Sequence, residues 1–306
     1  MAPHITEEIQ TDLPRFVSNP NLQNLGIDNL YHINISTSNL DEIKAKFGDV
    51  KYVCLAGSVG RVQKFAQLCY QELKDVFDIP ADAATNDIAC QAGRYSAFKV
   101  GPVLTVNHGM GVPSTSILMH ELLKLLHYAE ATEVKFLRMG TCGGLGVEPG
   151  TLILTKSGYD GCLEKGIEIV ALGQKKRYSA ESDPGFIADL VKTLEEMELP
   201  HVIGNTMTCN DFYETQGRLD GAFCEYSNTE KLKFIRRAHD EFGIKNIEME
   251  ASLFLAMCNR ANVPAAVVCV ALLDRLNGDQ IKNEKKLKNY ENGPLDMIIQ
   301  LIKNNI

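Results

Sequence analysis

Phe212-Tyr213-Glu214-Thr215-Gln216-Gly217-Arg218 places an aromatic ring, a carboxamide and a guanidinium within seven residues. A glutamine offers one donor and one acceptor, which matches the N3–H and C4=O edge of uracil, and Arg218 could donate to O2. The same residues also fit an ordinary loop. Leu55-Ala56-Gly57-Ser58-Val59-Gly60-Arg61 closes an apolar run and opens a helix. Glycine lets a backbone approach a ligand, a helix N-terminus attracts anions, and Arg61 adds a fixed positive charge. The segment lacks the Gly-Lys-Ser/Thr ending of a P-loop and the spacing of a dinucleotide fingerprint, so a plain strand–helix turn is the alternative. Arg138-Met139-Gly140-Thr141-Cys142-Gly143-Gly144 sets an arginine at the end of an apolar strand, followed by a hydroxyl among glycines. Bidentate donation to phosphate is one use of such an arginine, and a salt bridge to an acidic neighbour is the other. Glu248-Met249-Glu250 opens a buried helix. Its carboxylates could accept from the vicinal hydroxyls of a ribose or simply complement the helix dipole.

The histidines carry less. His127 stands near a helix end and reads as a dipole or surface residue, and His108, before Gly109-Met110-Gly111, reads as buried and structural. His32 has no interpretation from its neighbours alone. No Ser-His-Asp constellation is readable.

The chain that must position these segments has 306 residues, 45% of them hydrophobic and 23% charged, which is ordinary for a globular protein. Its net charge of −8 disfavours nucleic acid as a partner, and local arginines must reverse the field wherever an anionic substrate binds. Nine cysteines, none in a Cys-x-x-Cys pair, imply reduced thiols, a cytoplasmic location and no zinc site. The first residues lack the apolar core of a signal peptide, and no stretch approaches the ~20 apolar residues of a membrane span.

Strand and helix patterns alternate. Lys51–Ala56, Tyr95–Val100, Val103–Val106, Val134–Leu137, Thr151–Thr155 and Ala265–Leu273 read as strands, the second and third joined at Gly101-Pro102. Arg61–Phe77 and Ser114–Tyr128 read as helices, the latter with Ile117, Leu118, Leu122, Leu125 and Leu126 as its apolar face. Helices are also expected over 183–198, over 229–242 and, more buried, over Met249–Ala261. The pattern predicts an α/β fold with a mixed, largely buried sheet and helices on both sides. Residues 1–28 read as a polar surface arm and residues 29–306 as a single domain.

Taken in order, the segments resemble the nucleoside phosphorylase-I family, and within it the animal-type uridine phosphorylase branch. The order is Tyr31-His32, Gly57 to Arg61, Arg94, Gly109-Met110-Gly111, Arg138 to Thr141, Gln216 to Arg218 and Ile247-Glu248-Met249-Glu250. The likeness runs from about residue 29 to residue 300. His108–Leu122 follows the family signature, with Ser114, Ile117, Glu121 and Leu122 in place and Asn107 where a Gly, Ser or Thr is usual. Other departures are the Gly-Ser-Val-Gly-Arg loop, Cys142 in place of a smaller residue and Thr215 in place of a frequent glycine.

The resemblance implies a three-layer α/β/α domain around a central mixed sheet. It implies phosphorolysis of uridine to uracil and ribose 1-phosphate, with phosphate as co-substrate and neither metal nor organic cofactor. Gly57, Arg61, Arg138 and Thr141 would bind phosphate, joined by Arg94 from a neighbouring subunit of a homodimer. Met249, Glu250 and the nearby Glu248 would hold ribose, and His32 would reach its 5′ end across the interface. Phe212, Gln216 and Arg218 would bind the base, with Arg218, Gln216 and Arg138 closest to the chemistry. Three other readings remain open: a hydrolase, a purine-cleaving relative and a catalytically weak paralogue. Purine-cleaving members carry an aspartate in the region of Asp274, whereas Arg275 and the Gln216/Arg218 pair favour a pyrimidine. A hydrolase would not need Arg61, Arg94 and Arg138 together.

Overall fold

A computed structural model describes residues 16–281 and 284–305. Most of the expected arm, residues 1–15, lies outside them. In the remainder Phe16 is buried and Pro20–Asn24 forms a 3-10 turn capped by Asn19.

A short antiparallel pair, β1 (Asn29–Leu30) and β2 (Ile35–Ser36), leads to α1 (Leu40–Phe47), whose N-terminus is capped by the Asn39 side chain. The domain continues with β3 (Tyr52–Ala56), α2 (Val59–Leu73), β4 (Ala97–Val100), β5 (Val103–Asn107) and α3 (Gly111–Tyr128). Next come β6 (Lys135–Gly144), β7 (Leu152–Asp160), β8 (Ile167–Ala171), β9 (Gln174–Tyr178) and α4 (Pro184–Glu196). The last elements are β10 (His201–Thr208), α5 (Asn228–Phe242), β11 (Ile244–Glu248), α6 (Ala251–Ala261), β12 (Ala265–Asp274) and α7 (Glu284–Asn304).

Eight strands form one sheet in the order β11-β10-β7-β12-β6-β3-β5-β4. Its centre is largely parallel, and β4–β5 and β7–β12 are antiparallel, so the sheet is mixed as the alternation predicts. β3 and β5 are buried along their whole length, which fits the apolar run of β3 and the mostly apolar β5, where Thr105 and Asn107 are the polar exceptions. One core joins residues of α1, α3 and α6 to the sheet, and a second joins residues of α2, α4 and α7 to it. This is the expected three-layer α/β/α single domain.

Several elements differ from the sequence reading. Gly140–Gly144 is the second half of β6 rather than a turn, so Arg138 lies inside a strand. The strand bends until Gly143 and Gly144 pair antiparallel with Ile247 and Asn246 of β11, folding the sheet back on itself. A Cβ on Gly143 would come within 2.7 Å of Arg275 Cγ, and one on Gly144 within 2.4 Å of Val147 Cγ2. The glycines are therefore a packing requirement of a curved strand.

Strand β7 runs well past Thr155. In α3, Leu118, Leu122, Leu125 and Leu126 are buried as expected, joined by Thr115 and Met119, whereas Ile117, which the sequence assigned to the same face, is exposed. β10, the β8–β9 hairpin, α1 and α7 had no clear periodic signal. β10 is rich in polar residues that find partners on neighbouring strands and on the ends of α5 and α6, and α7 contains Gly293-Pro294 in its interior.

Candidate active site

The carboxyl ends of β3, β6, β11 and β12, with the turn after β5, surround a cavity of ≈660 Å³. Open α/β sheets bind ligands at this edge, where strand ends leave backbone groups free of the ladder.

At one end stand Gly57, Arg61, Arg138 and Thr141. Gly57 faces the turn after β5 so closely that a Cβ there would lie 3.3 Å from the Gly109 carbonyl. That turn is braced from within: Gly109 has φ 70°, and Ser114 Oγ donates to the His108 carbonyl at 2.6 Å. Arg61, in the first turn of α2, reaches Glu291 of α7 at 3.4 Å.

Arg138 is buried, and its donors are already engaged. Nη1 lies 2.8 Å from Glu248, Nη2 is ion-paired with Glu250, and Nε donates to His108 Nε2 at 3.3 Å. Burial opposes the charge on Arg138, but Glu248 and Glu250 more than offset it and hold the guanidinium protonated. His108, accepting at Nε2, carries its proton on Nδ1, which faces Thr115 Oγ1 at 3.5 Å. Burial, then Arg138 and Arg61, push its pKa well below that of a free histidine, so the ring is neutral.

The two glutamates divide their work. Glu248 ends β11, accepts from the Glu250 and Ala251 amides at the start of α6, and accepts from Thr208 Oγ1 at 2.7 Å. It is thus the helix-dipole carboxylate of the plainer reading as well as a partner of Arg138. Burial, joined by repulsion from Glu250, raises its pKa against the pull of Arg138. Glu250 accepts from the Gly111 amide at 2.6 Å through Oε1. Met249, between them, lines the cavity.

The other end is built from Phe212, Gln216 and Arg218. The Arg218 guanidinium stacks 4.5 Å from the Phe212 ring centroid and is held by Asp220 and by the Asp279 carbonyl. Gln216 is buried, and Arg275 fixes it by donating to its carbonyl oxygen at 2.8 Å and to Oε1 at 3.4 Å. Arginine has only donors, so Oε1 must point towards it. That oxygen keeps a second lone pair for a ligand N–H, and the amide nitrogen remains a donor. Gly217, at φ 61°, makes the turn that presents both side chains. Leu272, Leu273 and Ile281 add an apolar wall.

Ten of the twelve residues singled out in the sequence therefore converge on one cavity. His32 and Arg94 do not line it. His32 is held by Glu121 of α3, through Nδ1 at 2.7 Å and through its backbone amide. Arg94 is exposed beside Tyr95, whose ring lies 6.5 Å from that of His32.

Asp274 does not line the cavity either. It caps the turn after β12, accepting from the Leu276 and Gly146 amides and from Asn277. An aspartate so placed cannot protonate a purine in this cavity, which removes the geometric ground for the purine reading. Thr215 packs towards Gly161, where a Cβ would meet its methyl at 2.5 Å, and does not line the cavity. The residues least visible in the sequence were Asp279, which lines the cavity, and Thr208 and Lys231, which stand behind it. Arg275, which the sequence counted only as favouring a pyrimidine, proves to be the group that orients Gln216.

A single α/β domain with paired arginines and glycine turns at one end of a cavity, and an oriented glutamine–arginine pair at the other, has the layout of a nucleoside-cleaving transferase. The sequence matches the Phosphorylase superfamily over residues 51–294, and the chain belongs to that family. It is 42% identical to uridine phosphorylase 1 of Mus musculus over 95% of this chain and 92% of that protein. It is also 38% identical to inactive uridine phosphorylase B of Schistosoma mansoni, over 94% of this chain and 96% of that one. Among solved structures, uridine phosphorylase from Schistosoma mansoni in complex with thymidine superimposes with a TM-score of 0.87 at 37% identity, covering 94% of this chain and 98% of that one.

Proposed function

We propose that the protein is a pentosyltransferase that cleaves uridine with inorganic phosphate, giving uracil and ribose 1-phosphate reversibly, as a step of pyrimidine salvage. The observation that carries this reading is the Gln216–Arg218 pair, fixed by Arg275 and stacked on Phe212, in the same cavity as Arg61 and Arg138.

Phosphate, held by Gly57, Arg61, Thr141 and the Arg138 cluster, attacks C1′ of the ribose. The C1′–N1 bond breaks, and its electron pair leaves with the base. The charge spreads to O2, where Arg218 donates, while Gln216 reads N3–H and O4. A preorganised donor aimed at developing charge is typically worth ~3–4 kcal/mol, and in-line positioning of phosphate supplies a further term. Glu250 accepts from the ribose hydroxyls, and Met249 packs against the sugar. Glu248 supports them by fixing Arg138 and the start of α6. The reaction uses no metal or organic cofactor, and nucleic acid and membranes take no part.

The charges favour a homodimer with shared sites. Arg61 and Arg138 face Glu248, Glu250 and Glu291, so a phosphate anion entering this end needs a further cation. Arg94 is exposed, and so are Tyr31, Met110 and Ile117. Exposed apolar groups of this kind mark contact surfaces. A partner subunit would supply Arg94 to the phosphate and His32 to the ribose 5′ end, in a cytoplasmic enzyme.

A relative described as inactive keeps open the reading of a binding protein without turnover. Following base release from uridine, thymidine and inosine with and without phosphate separates the possibilities. Phosphate-dependent uracil release supports phosphorolysis. Phosphate-independent release means hydrolysis, and preference for inosine means purine cleavage. No release from any substrate means binding alone.

A further inference from the structure

Behind the Gln216-Gly217-Arg218 turn lies a charged network that the cavity lining does not exhaust. Lys231, in the first turn of α5, is 4% exposed, and its Nζ donates to Asp279 Oδ1 at 2.7 Å. Arg275 Nε donates to the same oxygen at 2.8 Å, and Arg218 Nη2 donates to the Asp279 backbone carbonyl at 3.0 Å. The Lys231 stem passes beneath the turn itself: a Cβ on Gly217 would stand 3.7 Å from Lys231 Cγ.

A buried ammonium is costly unless paired, and a pair normally offers one carboxylate to one cation. Here Asp279 serves two. Burial pulls its pKa upward, but Lys231 and Arg275 hold it below the usual carboxylate range, so it is ionised. With Arg218 facing Asp220, three cations meet two carboxylates, and one positive charge is left over beneath the base end of the cavity.

We propose that Lys231 is a positioning residue for glycosidic cleavage: through Asp279 it fixes Arg275 and Arg218, and hence Gln216, and it leaves the base end with the surplus positive charge that stabilises the departing base as an anion. The proposal rests on the phosphorolysis reading above. In that step the C1′–O bond to phosphate forms as the C1′–N1 bond breaks, and the N1 electron pair goes to the base. The less readily the base carries that charge, the more the field beneath it matters. Fluorine at C5 withdraws electrons and makes 5-fluorouracil the more acidic leaving group.

Lys231→Met keeps the stem packed on Gly217 and removes only the ammonium. It is expected to lower kcat/KM for uridine by about tenfold or more, short of the ~10²–10³ of a directly contacting donor. The loss for 5-fluorouridine is expected to be clearly smaller, with KM for phosphate unchanged. Equal losses on the two nucleosides, a loss expressed mainly in KM for phosphate, or no loss would overturn the proposal. If the variant does not fold, Asp279→Asn keeps an oxygen acceptor and removes a negative charge. It should move the ratio of the two substrates in the opposite direction, and an unchanged ratio would count against the network. Failure of the wild-type protein to cleave either nucleoside with phosphate would instead overturn the phosphorolysis reading. Positioning is then read without turnover from a crystal structure of Lys231→Met. Loss of the Arg275–Gln216 contact supports it, and an undisturbed contact contradicts it.

Discussion

Arg138 shows how one side chain can satisfy two readings that looked exclusive. Its position suited either phosphate or an acidic neighbour, and the structure pairs it with Glu248 and Glu250 in the lining of the cavity. The guanidinium thereby fixes the Glu250 carboxylate and adds to the burial that keeps His108 neutral. His108 has a sign to test. Its folded pKa lies below the unfolded value of ~6.5, so at lower pH the unfolded chain takes up a proton that the folded chain refuses. Its contribution to stability is therefore intact above ~6.5 and falls as pH drops below it, by up to ~1.4 kcal/mol per pH unit. In thermal melts between pH 7.5 and 5.5, His108→Gln should lose less stability than wild type, and parallel losses would rule out a buried neutral ring. At the base end, Arg218→Ala should lower kcat/KM for uridine by about 10²–10³, the cost of one preorganised donor. Gln216→Leu should also cripple cleavage. Steady-state kinetics in which both variants match wild type would remove these residues from base recognition.

Elements decide which of these side chains meet. The Gly140–Gly144 run looked like a phosphate turn, yet it is strand, and its glycines let β6 curve against Arg275 and β11. Gly143→Ala would press a methyl onto the Arg275 stem and tilt the group that orients Gln216. The expected result is a lower kcat/KM for uridine with KM for phosphate nearly unchanged, and equal effects on both would place the damage elsewhere. The strongly periodic elements were legible in sequence: β3 and β5 as apolar runs, and α2 with its buried Val62, Phe65, Cys69 and Leu73. β10 was not, because a strand of mixed polar residues is specified by its neighbours rather than by its own alternation. Many of the site residues came through because they stand beside a glycine, as Arg61, Thr141, Gln216 and Arg218 do, or at a strand–helix junction, as Glu248, Met249 and Glu250 do. Lys231 and Asp279 did not, since an ordinary helix lysine and a loop aspartate acquire meaning only when the fold buries them together.

For the whole molecule the question is what completes the site. A single chain gathers Gly57, Arg61, Arg138, Thr141, Met249, Glu250, Phe212, Gln216 and Arg218, but leaves Arg94 and His32 outside the cavity. A shared site predicts complementation. Arg94→Ala and Arg218→Ala, each inactive alone, should regain part of the wild-type rate when mixed after dissociation, because some dimers then contain one intact site. Mixtures as inactive as their parents would mean that Arg94 does not act across an interface. A uridine phosphorylase and a relative described as inactive both share about two fifths of this sequence, so overall likeness cannot replace turnover as the criterion. The most direct measurement is uracil release from uridine by the purified protein, with phosphate as the only variable. Release that rises to saturation with phosphate and is negligible without it is the expected result. Release undiminished in phosphate-free buffer, or none at any phosphate concentration, would contradict phosphorolysis.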